Sequence, residues 1–247
     1  MKIKTTNSVL TSGSAPLVIL NGDKGGVGKS FLGRTLTWKL SAAGVPLVLF
    51  DGDERNPHLD RYYCGVLKVT RFDARCEDGW TDLFSGIDDV AEDAVILVDL
   101  PAGVGGQLQR ELVRLRENEE LGTPTIHVWV GDHSEDSVRL FKDLADVAPA
   151  EQTAFVLNKK DDEQLQRFGI WLNSNSRAAF RAEGGVEVTL PRLAPNVHDR
   201  VAAEHLPFPV DWPRGWPRGH WLGFRAFAAQ VDRELRPLLA LIEETRP

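Results

Sequence analysis

The residues of this chain best suited to chemistry lie together in Asp23-Lys24-Gly25-Gly26-Val27-Gly28-Lys29-Ser30. Glycines let the backbone curl tightly enough to aim several N–H groups at one centre. The apolar run Leu17–Asn21 precedes this loop, and a helix-like segment from about Lys29 to Ala43 follows it, adding its positive end. Lys29 brings a mobile charge and Ser30 a hydroxyl. Together they suit a triphosphate, with Lys29 at the β- and γ-phosphates and Ser30 on Mg²⁺. The pattern G-x-x-x-x-G-K-[ST] is met except at its first position, where Asp23 stands for Gly.

Such a loop needs a sheet to carry it and neighbouring strands to bring acidic groups beside it. Pro46–Asp51, Ala94–Asp99, Thr125–Val130 and Thr153–Asn158 are continuous apolar runs, the pattern of strands covered on both faces. Three of the runs end in Asp51, Asp99 and Asn158, at the carboxyl edge where open parallel sheets bind ligands. Helix-like segments fill the gaps at about 107–120, 135–147, 170–182 and 223–244. The alternation predicts an α/β fold: a doubly wound, mostly parallel sheet flanked by helices. Residues 1–15 read as a flexible lead, and 16–247 as a single domain with a C-terminal helix packed on its core.

Lys24-Gly-Gly-Val-Gly-Lys-Ser30 resembles the deviant Walker A motif of the ParA/MinD group of P-loop ATPases. The resemblance runs from about Leu17 to Leu206. It implies that Lys24 is the second, "signature" lysine, which reaches across an ATP-bound homodimer to the partner's nucleotide. A second cation there would offset charge developing in phosphoryl transfer. Val48-Leu-Phe-Asp51-Gly-Asp53 is similar to the family's D-x-D motif, which assigns Asp53 to the attacking water and Asp51 to the metal environment. Val95-Ile-Leu-Val-Asp99-Leu-Pro-Ala-Gly103 looks like Walker B, with Asp99 toward Mg²⁺. Gly103, Gly105 and Gly106 then give a segment able to sense the γ-phosphate. By the same resemblance Phe31 continues the nucleotide loop, Asn158 and Lys159 face the nucleobase, and Pro191 is a further base-side contact. The implied activity is that of a slow, ATP-driven dimerisation switch in plasmid partition, conjugation or positioning of a protein assembly.

Other classes are bounded by composition. At 247 residues with 42% hydrophobic and 26% charged residues, the chain can bury a sizeable core. A net charge of −7 argues against coating nucleic acid by bulk electrostatics. A local excess of eight Arg over five acidic residues between Gln164 and Arg225 leaves DNA contact open. Cys64 and Cys76 have no metal or redox spacing and read as reduced thiols. With no signal or membrane-spanning run, a soluble cytoplasmic protein is expected, with no membrane contact. His127 reads as a satisfied core histidine. Asp211–Trp221 reads as a Pro- and Gly-rich loop whose three Trp either pin it down or meet a protein partner. An ATP-dependent amidoligase using Arg61, Tyr62, Tyr63, Arg71 and Arg75 for a carboxylate substrate, and a poorly hydrolysing adaptor, are the alternatives. Asn158-Lys159-Lys160-Asp161 also matches a guanine-reading N-K-x-D pattern, so ATP against GTP is left open here.

Overall fold

The computed structural model describes residues 14–117, 123–160 and 165–247. Nearly all of the expected lead 1–15, the end of the expected helix 107–120, and Asp161 lie outside them. Among the described residues the strands are β1 (Leu17–Asn21), β2 (Leu47–Asp51), β3 (Lys68–Arg71), β4 (Val95–Asp99), β5 (Thr125–Gly131), β6 (Thr153–Asn158) and β7 (Val186–Leu190). They form one sheet in the order β3-β2-β4-β1-β5-β6-β7, and every pairing is parallel. The four long apolar runs and β1 are its centre. β3, with its half-exposed Lys68-Val-Thr-Arg71, lies at one edge and carries too little apolar signal to be read as a strand.

Side chains alternate between the two faces. Val18 and Leu20 join one core, while Leu17 and Ile19 join the other. The first core is covered by α1 (Lys29–Ala42), α2 (His58–Tyr63), α8 (Pro195–Glu204), α9 (Arg218–Glu234) and α10 (Arg236–Glu244). The second is covered by α3 (Glu77–Ile87), α4 (Gly105–Glu117), α5 (Glu135–Ala145), α6 (Gly169–Leu172) and α7 (Asn175–Ala182). Helices on both faces make the sheet doubly wound, as its patterning predicts.

Three expectations change. The helix expected at 170–182 is two, because Ser174 caps α7 by accepting the Arg177 N–H at 3.0 Å. The helix expected at 223–244 starts earlier and breaks at Leu235, since Pro237 in the next turn has no N–H to donate. The Trp-rich stretch is a loop only as far as Pro217. Arg218–Trp221 form the first turn of α9, where Pro217 stands at the N-cap and offends no hydrogen bond. The C-terminal helices do pack on the core, burying Phe224, Phe227, Val231, Leu238 and Ile242. No described helix is long and apolar enough to cross a membrane.

Candidate functional site

Strand order reverses about β1, with β4 on one side and β5 on the other, and ligand crevices of open α/β sheets form at such a point. The Gly-rich loop leaves β1 there. Gly26 has φ 73° and Gly28 has φ 101°, left-handed values that favour glycine. Gly28 is the N-cap of α1 and supplies no side-chain cap, so the first-turn N–H groups are left for an anion.

Lys29 is only 7% exposed. Its Nζ donates to the Gly22 carbonyl at 2.6 Å and to the Lys24 carbonyl at 3.3 Å, which folds the loop around it. Burial pulls its pKa below the usual lysine value, against the pull of Asp99, Asp23 and Asp53. An ammonium short of compensating charge in a low-dielectric setting is a strong anchor for an anion.

β2 and β4 bring two aspartates side by side, with Asp51 paired to Asp99 in register. Burial pushes Asp99 up to about 7, against the hydroxyl of Ser30 and the charge of Lys29, with Asp51 and Asp53 adding to the rise. Its Oδ1 is buried and has no hydrogen-bond partner. A buried oxygen in that position lacks a donor or a cation, and the Ser30 hydroxyl beside it completes a hard oxygen pair that fits Mg²⁺. Asp51 differs. Burial raises it to about 6, yet its oxygens accept the N–H groups of Asp53 at 3.2 Å and Asp60 at 3.1 Å. It therefore braces the loop after β2. Asp53 in turn accepts from Arg55 and Asn56, both at 3.2 Å.

Lys24 turns away from the loop. Its Nζ donates to Asp132 at 3.2 Å and to the Ser134 hydroxyl at 2.9 Å, at the end of β5. Burial alone would raise Asp132, but the hydroxyls of Ser134 and Ser137, the Ser134 N–H and Lys24 outweigh it and hold the carboxyl far below the usual range. Sequence reasoning missed this clasp. Asp132 does follow an apolar run as Asp51 and Asp99 end theirs, which is the signal that finds it.

The base-side residues are placed unevenly. Asn158 is buried, donates its amide to the Val27 carbonyl and accepts the Lys160 N–H at 3.1 Å, so it clamps the phosphate loop directly. Lys160 also reaches the loop, donating to the Gly26 carbonyl. Pro191 is buried and follows Leu190, which pairs with Asn158. Lys159 points elsewhere: its Nζ binds Glu234 of α9 at 3.1 Å. Phe31 is likewise turned from the loop, packing its ring on His198, Phe208 and Phe227 at centroid distances of 6.2, 5.7 and 5.8 Å. An aromatic in the first turn of α1 faces the helices that cover it, so a phosphate can meet only its backbone. His127 is a core residue but not a satisfied one, since its Nδ1 has no partner. Cys64 and Cys76 are free and exposed.

No protein-family model matches the chain. It is 26% identical over 201 residues to Protein MobD of Acidithiobacillus ferrooxidans, covering 78% of this chain and 85% of that one. Among solved structures it is similar to a nucleotide-binding protein from Archaeoglobus fulgidus in complex with ADP, in which cobalt was found. That match has a TM-score of 0.51 and 17% identity, over 81% of this chain and 91% of the other. It is also similar to the MinC:MinD cell division complex of Aquifex aeolicus, at a TM-score of 0.50 and 17% identity over 87% and 96% of the two chains. Sheet order and solved neighbours agree on the fold: a doubly wound parallel sheet whose Gly-rich loop leaves β1 at the switch point, shared with these two solved structures.

Proposed function

We propose that this protein binds ATP with Mg²⁺ on the loop Asp23–Ser30, hydrolyses it slowly, and uses the bound triphosphate to form a homodimer. The observation that carries the reading is the combination of a buried Lys29 folded into the loop with the unpartnered Oδ1 of Asp99 beside Ser30. Ser30 and Asp99 would hold Mg²⁺, which neutralises phosphate charge when bound. Lys29 and the first-turn N–H groups of α1 hold the β- and γ-phosphates. Asp53, on the loop braced by Asp51, is within reach of solvent and orients the attacking water. Asn158 keeps the loop in its anion-receptive shape, and Pro191 borders the base side.

Lys24 has a 38% exposed side chain and a partner pair that can release it, so it is available to a second protomer's nucleotide. The switch would act with a protein partner in plasmid partition, conjugation or the positioning of an assembly in the cytoplasm. That role is supported by the likeness to Protein MobD and to the MinD-containing complex. Light scattering after size exclusion, with ATP and Mg²⁺, tests it on the natural chain, Lys24→Ala and Asp53→Ala. The expected result is a dimer with ATP, held longer by Asp53→Ala and lost in Lys24→Ala. A mass unchanged by ATP in all three overturns the dimer switch.

A further inference from the structure

The phosphate loop departs from the strict pattern only at Asp23, and that residue makes two contacts with the segment that follows β4. Its carboxylate Oδ1 accepts the Gly105 N–H at 3.3 Å, at the first residue of α4. Its backbone carbonyl accepts the Gly103 N–H at 3.1 Å. Gly103 itself has φ 76°, so a tight turn aims these N–H groups back at the loop. The helix dipole makes the start of α4 a favourable place for an anion. Here the anion comes from the protein.

The same carboxylate acts on Lys29, since it is among the charges that favour the ammonium form. A bound polyphosphate must share Lys29 with Asp23, and a third phosphate adds charge at the mouth of the same loop. A cavity of about 170 Å³ lies alongside, lined by Asp23, Gly105, Gly106, Gln109, Trp129 and Asp143, and gives this segment space to shift. We propose that the Asp23 carboxylate is an internal anion that holds the start of α4 on the phosphate loop and lowers the preference for triphosphate over diphosphate. The inference rests on the nucleotide-binding reading and deepens it. Asp23 is a specificity-determining residue that sets how much of the binding energy of a third phosphate is needed to release residues 103–106.

Calorimetric titration of the full chain with ADP and with a non-hydrolysable ATP analogue, both with Mg²⁺, tests this on the natural chain, Asp23→Asn and Asp23→Gly. Asparagine keeps an acceptor of nearly the same shape and removes only the charge; glycine removes both. Amide exchange of residues 103–106 without nucleotide is read in parallel. Both variants are expected to raise the ratio of diphosphate Kd to triphosphate Kd about fivefold and to speed exchange at 103–106. A ratio within about twofold of the natural chain in both variants overturns the proposal. So does a ratio that rises in Asp23→Gly alone, which would assign the effect to loop shape and not to charge. If the natural chain and both variants bind neither nucleotide, the nucleotide-binding reading itself fails and takes this one with it.

Discussion

At Gly28 two independent constraints meet. Its φ of 101° is a backbone state that side-chain-bearing residues rarely adopt, and a Cβ there would run into the Asn158 amide. Gly28→Ala is therefore expected to lose on the order of 1–3 kcal/mol in urea denaturation and to abolish nucleotide binding by titration. By contrast a Cβ on Gly25 meets nothing nearby, so Gly25→Ala serves as the control that keeps its fold. At this scale the sequence is legible where residue type alone decides: glycines, Lys29 and Ser30 announce the loop. It is silent where a distant partner decides. Phe31 follows the motif directly but is claimed by Phe208 and Phe227. Lys159 follows Asn158 but is claimed by Glu234. Lys24 is recognisable as a second cation, while its clasp with Asp132 and Ser134 lies more than a hundred positions away.

Among elements, α9 links α1 to β7 and to the segment after β6. Phe224 and Phe227 pack with Trp38 and Phe31 of α1 and with Phe208, and Glu234 accepts from Lys159 of the segment after β6 and from Thr189 of β7. Phe227→Ala removes a fully buried ring from this cluster and is expected to destabilise the fold by about 3–5 kcal/mol, read as a shift in the urea midpoint with unchanged slope. Because α1 carries the phosphate loop, nucleotide affinity should fall with it. The apolar spacing of this region is visible in the sequence, but its boundaries are not. Periodicity registers which face is buried and passes over Leu235, where the chain changes direction before Pro237. The short α2 and β3 fail for a related reason: six and four residues give too few periods to stand out.

For the molecule as a whole, doubly wound architecture follows from the long apolar runs, and pH dependence follows from what those runs enclose. Burial lowers His127 to about 4, so the unfolded chain binds a proton that the folded chain refuses between that value and the ordinary 6.5. The contribution is full above pH 6.5 and is lost as pH falls toward 4, by on the order of 3 kcal/mol. Asp51 and Asp99, raised to about 6 and 7, act in the opposite sense, since the folded chain holds their protons more tightly and gains from acidification. The net curve mixes the two, so the informative measurement is a difference. Urea denaturation of the natural chain and of His127→Leu at pH 7 and pH 4.5 should show the variant losing less stability on acidification. Equal losses would mean that folding leaves the His127 pKa at its unfolded value.

The clamp from Asn158 to the Val27 carbonyl joins positions 131 residues apart. During synthesis the entire Gly-rich motif leaves the ribosome well before the residue that clamps it, which arrives only after four further strands, β2 to β5, at the end of β6. Pairings of such long sequence separation form late in folding. Competence to bind nucleotide should thus appear as a final step of maturation, making the ligand a reporter of completed chains: fragments ending before β6 would carry the full motif and still fail to bind.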